Sequence, residues 1–195
     1  MPLNAQTLSS LRNTVDTACA DPKTSIPGAT VVVVGKDGKE LFAHSSGKRG
    51  VNSDEPMTLD NIFWIASSTK MLTGVACMQL VEQGILKLDD GEQTESLAPE
   101  LKELKVLRPD GKLEDKNCAI TLRMLLTHTA GFGYSFFNER LRDHFLPAGL
   151  DEFSGRFEDM KSPLLFQPGT AWEYGVSIQI TELPIAKSNE LIGRN

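Results

Sequence analysis

Long apolar runs are missing from this 195-residue sequence. Its longest, ATVVVV at residues 29–34, is far shorter than the roughly 20 residues a membrane-spanning helix needs. The opening segment MPLNAQTLSSLRN lacks the apolar centre of a secretory signal. Cysteine is scarce: Cys19, Cys77 and Cys118 are odd in number, widely spaced and without a Cys-x-x-Cys pair. That favours a reducing compartment over a disulfide framework. An excess of basic charge is missing too, since 20 Lys and Arg face 26 Asp and Glu for a net charge of −6. With no basic stripe carrying interleaved aromatics, nucleic acid is excluded as the main partner. The expectation is a soluble, cytoplasmic protein with neither nucleic-acid nor membrane partner; nothing in the sequence sets its oligomeric state.

What is present suits a packed core. Hydrophobic residues make up 40% and charged residues 24%, the balance of an ordinary globular domain. Leu8, Leu11, Val15 and Ala18 recur at helical spacing and predict a helix over about residues 4–20. ATVVVV, GKDGK and ELFAHS then read as strand, Asp-Gly turn and strand. A second helix is expected from Ser67 to Gln83, burying Met71, Leu72, Val75, Met78, Leu80 and Val81 and stopping at Gly84. GILKLDDG reads as an extended segment with a solvated Asp89–Asp90 turn. Weak helical signal follows at 97–106, then a hairpin or loop at RPDGKLEDK. Thr121 is placed to cap a helix that displays Leu122, Leu125 and Leu126 and ends at Gly131. Beyond it lies a long irregular region, a Pro-Gly turn at 168–169, and a polar tail interrupted by Pro184.

The chemistry centres on IASSTK at residues 65–70. In Ser-x-x-Lys on a helix, residues three apart share a face, with Cβ atoms about 5–6 Å apart. The amine then reaches the hydroxyl, and acts as a base if its pKa falls from about 10.4 by roughly three units. The pattern occurs twice, as Ser67–Lys70 and as Ser45–Lys48. Only the first has an apolar lead-in, IFWIA, and an uninterrupted helix after it. Ser68 stands two residues from Lys70 and points elsewhere, so Ser67 is the candidate nucleophile. The competing reading is a helix-capping serine with a solvated lysine. Acyl transfer also needs a group that protonates the leaving atom and deprotonates the incoming one. The chain has two tyrosines, Tyr134 and Tyr174. Tyr174 follows the Pro-Gly turn, which can aim it; the alternative is that Tyr174 and Trp172 only fill space. Phe63, Trp64 and Phe136 are expected in the core rather than lining an acyl pocket, and His128 is expected to pack within a loop. His44 and His144 show no metal-ligand spacing.

Three ordered blocks, FWIASSTKMLTGVACMQLVEQGILKLDD, ITLRMLLTHTAGF and FQPGTAWEYGVS, resemble the serine β-lactamase-related superfamily, which includes class C β-lactamases and penicillin-binding-protein-like peptidases and esterases. The sequence is most similar to its esterase and acyltransferase branch, of the lovastatin type. That resemblance implies an α+β, β-lactamase/transpeptidase-like fold. It also implies Ser67 as acylated nucleophile, Lys70 as its base partner and Tyr174 as second acid/base, acting on small acyl substrates with no cofactor or metal. Two departures qualify it. Val176 stands where class C β-lactamases carry asparagine, which favours ester or thioester chemistry over lactam hydrolysis. No Lys-[Ser/Thr]-Gly follows Tyr174, so the resemblance covers only the N-terminal half of the fold. The expectation is a truncated member with an unpaired sheet edge, an uncovered apolar face and impaired activity. Its expected parts are an N-terminal helix and hairpin (1–55), a mostly helical subdomain carrying the motifs (56–178) and a divergent polar tail (179–195). The alternatives are an inactive fragment or interaction remnant, or a β-lactamase or D-amino-acid peptidase.

Overall fold

The computed structural model describes residues 3–21, 24–154, 156–160 and 162–192. The chain divides into two compact units, residues 1–64 and 65–195.

In the first unit, helix α1 (Ala5–Ala18) starts where the Asn4 side chain accepts from the Thr7 N–H at 2.8 Å. Leu8, Leu11, Val15 and Ala18 are its half-buried stripe. Cys19, expected within the helix, instead caps its C-terminus and is buried. Strands β1 (Gly28–Val34) and β2 (Glu40–Gly47) form the expected antiparallel hairpin, with Gly38 in the turn at φ 77°. Among the described residues this sheet has two strands, and Val32, Val33 and Val34 are exposed on it. The second serine–lysine match lies here and is split: Ser45 hydrogen-bonds Thr30 at 3.0 Å, while Lys48 pairs with Asp54 at 2.6 Å.

The second unit is mostly helical. A 3-10 turn (Ala66–Ser68) leads into α2 (Thr69–Glu82). Of the stripe expected to be buried, only Leu80 and half-buried Val81 face inward, next to Cys77; Met71, Leu72, Val75 and Met78 are exposed. The reason is periodicity. Helix α2 is apolar all round, so pattern alone does not choose a face. The inward face carries Lys70, Thr73, Cys77, Leu80 and Val81, spaced 3, 7, 10 and 11 residues from Lys70.

The turn after α2 is solvated at Asp89, as expected, and its aspartates also organise the chain around it. Asp90 caps α3 (Gly91–Leu97) by accepting from the Gln93 N–H, and Asp89 takes both arms of Arg123 at 2.6 and 2.8 Å. Residues 97–106 hold a 3-10 turn (Pro99–Leu101) and strand β3 (Lys105–Leu107) in place of a helix. Strand β4 (Leu113–Asp115) completes a hairpin with β3. Thr121 caps α4 (Leu122–Leu126), as expected. That helix stops at Thr127, and His128 rather than Gly131 makes the first left-handed step, at φ 58°.

Among the described residues, four helices occupy the stretches expected to be irregular or a polar tail. In α5 (Glu139–Ala148) Asn138 caps the start, Pro147 sits in the last turn, and Gly149 closes it at φ 66°. The expected tail forms α7 (Ser177–Ile180) and α8 (Glu182–Ile192), after the short α6 (Phe157–Met160). Pro184 lies in the first turn of α8, where its missing N–H breaks no helical bond, and its ring is fully buried. Ile180 joins Leu101, Ile120, Leu125, Phe132, Tyr134 and Leu164 in the main core. No helix among the described residues is long and apolar enough to cross a membrane.

Candidate active site

Ser67 sits in the 3-10 turn, two residues before the α-helix starts at Thr69. Three residues per turn bring positions i and i+3 into line, more closely than an α-helix does. Lys70 Nζ accordingly donates to Ser67 Oγ at 3.3 Å. Neither Ser67 nor Ser68 makes a helix-capping hydrogen bond, so the capping alternative does not describe this turn. Ala66, just before the serine, is held left-handed at φ 45°, a strained conformation for a residue with a Cβ.

Tyr174 arrives from the opposite side. Its segment runs beside residues 128–134, tied by Leu165 N–H to Gly131 O (2.7 Å), Gly169 N–H to Thr129 O (2.8 Å) and Glu173 N–H to His128 O (3.1 Å). Gly169 supplies the left-handed step of the Pro-Gly turn, at φ 83°. At the end of the pairing Gly133 and Gly175 touch backbone to backbone. A Cβ on Gly175 would lie 2.5 Å from Gly133 Cα. The contact sets Tyr134 and Tyr174 side by side, with ring centroids 5.6 Å apart. The Tyr174 hydroxyl then lies 2.9 Å from Ser67 Oγ. The three residues expected to meet, Ser67, Lys70 and Tyr174, do so.

The electrostatics follow from this arrangement. Tyr174 is held below its ordinary pKa, first by the hydrogen bond with Ser67 and then by Lys70, against an opposing effect of burial. Lys70 Nζ lies 5.2 Å from the Tyr174 ring centroid. His128 is buried behind the tyrosine, its ring 4.8 Å from that of Tyr174, and its Nδ1 accepts from the Gly175 N–H at 3.4 Å. Burial, and then the charge of Lys70, push His128 below its ordinary value, so its neutral form is favoured. The loop-packing role expected for His128 agrees with these contacts.

Residue-by-residue reading missed two partners. Tyr134 accepts from Lys70 Nζ at 3.4 Å and donates to Gln179 Oε1 at 2.9 Å. The available signal was a symmetry in the sequence: each of its two tyrosines has a glycine next to it, Gly133 before one and Gly175 after the other. Phe136, expected in the core, is 54% exposed and stacks on Tyr134 at 4.9 Å. Phe63 and Trp64 are exposed as well.

The sequence profile of the beta-lactamase family matches residues 11–177. The chain belongs to the beta-lactamase family. Within this family it is 33% identical over 168 residues to an acyltransferase, mokF, of Monascus pilosus, and 34% identical over 169 residues to a lovastatin esterase of Penicillium rubens. These alignments cover 80% and 77% of this chain and 40% of each relative. Among solved structures, unliganded simvastatin synthase (LovD) from Aspergillus terreus superposes with a TM-score of 0.81 at 27% identity, over 96% of this chain and 50% of that one. The β-lactamase/transpeptidase-like fold is thereby shown for this chain, which spans about 40% of the length of the curated relatives it matches.

Proposed function

We propose that this chain carries the acyl-transfer centre of a serine esterase or acyltransferase that acts on small acyl esters or thioesters. One observation carries the reading: Ser67 Oγ lies within hydrogen-bond reach of both the Tyr174 hydroxyl and the Lys70 ammonium, at 2.9 and 3.3 Å. In the reaction Tyr174 acts as the phenolate, its charge stabilised by the hydrogen bond from Lys70; Ser67 Oγ attacks the acyl carbonyl carbon and gives its proton to the phenolate oxygen. Collapse of the tetrahedral adduct breaks the bond to the leaving alkoxide or thiolate, which takes the proton from Tyr174. Acyl-Ser67 is then attacked by water or an alcohol, with Tyr174 again accepting and returning the proton. The depressed pKa of Tyr174 supports giving the base role to this residue instead of Lys70, to which the sequence reading assigned it. Val176, buried and apolar, offers no amide to a lactam, and relatives named as acyltransferases and an esterase favour ester substrates.

The test is reaction with a chromogenic short-chain acyl ester and with a fluorophosphonate probe. The expected result is covalent labelling and slow ester turnover, both lost in Ser67→Ala. A folded protein that never labels refutes the proposal, and nitrocefin turnover equal to ester turnover refutes the ester preference. A second reading, a folded domain that binds acyl groups without turnover, draws on the solvent exposure of Ser67. Water around the reacting oxygen weakens every electrostatic contribution to catalysis. Labelling without ester turnover would select that reading.

A further inference from the structure

The acyl-transfer roles leave Tyr134 unused, yet it is the most firmly held residue of the centre. Only 3% of it is exposed, and its ring lies against Phe136, Phe153 and Phe137 at 4.9, 5.8 and 6.3 Å. A phenol has one proton to give, and Tyr134 gives it to Gln179 Oε1. What remains on the oxygen is acceptor capacity, and Lys70 donates into it. An ammonium has three N–H groups, and here Ser67, Tyr134 and Tyr174 provide three acceptors. Of these, Ser67 is exposed and Tyr174 half-buried, so Tyr134 is the anchored leg. The orientation of Gln179 decides whether this leg works. If Gln179 presented its amide N–H instead, the Tyr134 proton would turn toward Lys70 and oppose the ammonium.

We propose that Tyr134 and Gln179 are positioning residues: Gln179 sets the direction of the Tyr134 hydroxyl, and that hydroxyl holds the Lys70 ammonium between Ser67 and Tyr174. The hydrogen-bond chain stands on its own geometry, and its effect on rate rests on the acyl-serine reading. Because Gln179 acts through Tyr134, their removal is not additive.

Two readouts test the proposal. The first follows tyrosine ionisation by NMR of protein labelled at tyrosine Cζ; with two tyrosines, Tyr134→Phe assigns both signals. The titratable groups facing Tyr174 are Lys70, Tyr134 and His128. In Tyr134→Phe and Gln179→Leu, Lys70 is released toward solvent, and the Tyr174 midpoint rises toward its ordinary value of 10.0. The second readout is the rate of Ser67 labelling by the fluorophosphonate. Each single variant is expected to lose about tenfold, the worth of one hydrogen bond to a charged group. The double variant should lose no more than Tyr134→Phe alone, and Gln179→Glu, which keeps an acceptor, should retain more rate than Gln179→Leu. An unchanged Tyr174 midpoint in Gln179→Leu, or losses that multiply in the double variant, would overturn the proposal. Midpoint shifts in the two variants together with wild-type protein that never labels would refute the acyl-serine reading alone.

Discussion

Replacing Gly175 with alanine tests whether backbone contact sets the spacing of the two tyrosines. The new Cβ would meet Gly133 Cα, C and N at 2.5, 2.6 and 2.7 Å, whereas ordinary contact begins near 3.4 Å. All three atoms are backbone, so no side chain can swing aside, and the two segments must part by about 1 Å. Overpacking of this kind costs about 1–3 kcal/mol. For a chain of this size each kcal/mol lowers the melting temperature by about 2–4 °C. The functional cost is larger in proportion. A displacement of about 1 Å at a reacting group costs about a hundredfold in rate, and here it moves Tyr174 away from Ser67. The assay pairs fluorophosphonate labelling kinetics with thermal unfolding. The internal control is Gly133→Ala, whose Cβ meets side-chain ends of Leu165 and Leu141 at 2.6 and 2.9 Å, atoms that can give way. Its labelling loss should therefore be smaller. Gly175→Ala protein that labels and melts as wild type does would refute the argument.

Other outcomes follow from single contacts. Ala66→Gly should raise the stability read from urea denaturation by about 0.5 kcal/mol, because relief of left-handed strain exceeds the added unfolded-state entropy; Ala66→Val should lower it. His128 has a folded-state pKa below its ordinary 6.5, so stability is intact above pH 6.5 and falls as pH drops from there through the folded value. His128→Asn, which tolerates the left-handed backbone, should remove that part of the pH dependence in denaturation curves at pH 5 to 8. Lys116 and Glu95 form a largely buried pair at 2.7 Å, and Glu95 also accepts from the Ile120 N–H. Lys116→Met leaves a carboxylate unpaired and should cost about 3–5 kcal/mol in chemical denaturation.

Local chemistry made part of this protein readable from sequence. The hairpin announced itself through β-branched runs and an Asp-Gly turn, the Thr121 cap through its place before an apolar helix, and Ser67 through its lead-in and helix. Helix α5 was hidden because Pro147 and Gly149 read as breakers, when one occupies a last turn and the other a left-handed cap. Helix α8 was hidden by Pro184, which a first turn accepts. The inward face of α2 was not readable because apolar residues surround the helix, and the lysine that marks the face carries no hydrophobic signal. Tyr134 was noticed only as one of two tyrosines. Its bond to Lys70 depends on a glycine–glycine contact between segments some forty residues apart, and no local pattern encodes that.

The 3-10 turn under Ser67 has a mechanical consequence. Lys70 belongs to a fourteen-residue α-helix, whereas Ser67 rides on a three-residue 3-10 link, whose hydrogen-bond geometry is poorer, between strained Ala66 and that helix. Nucleophile and ammonium are thus mounted on parts of unequal stiffness. The gap between them is a soft coordinate, one that a bound acyl group can tighten without any rearrangement of the core.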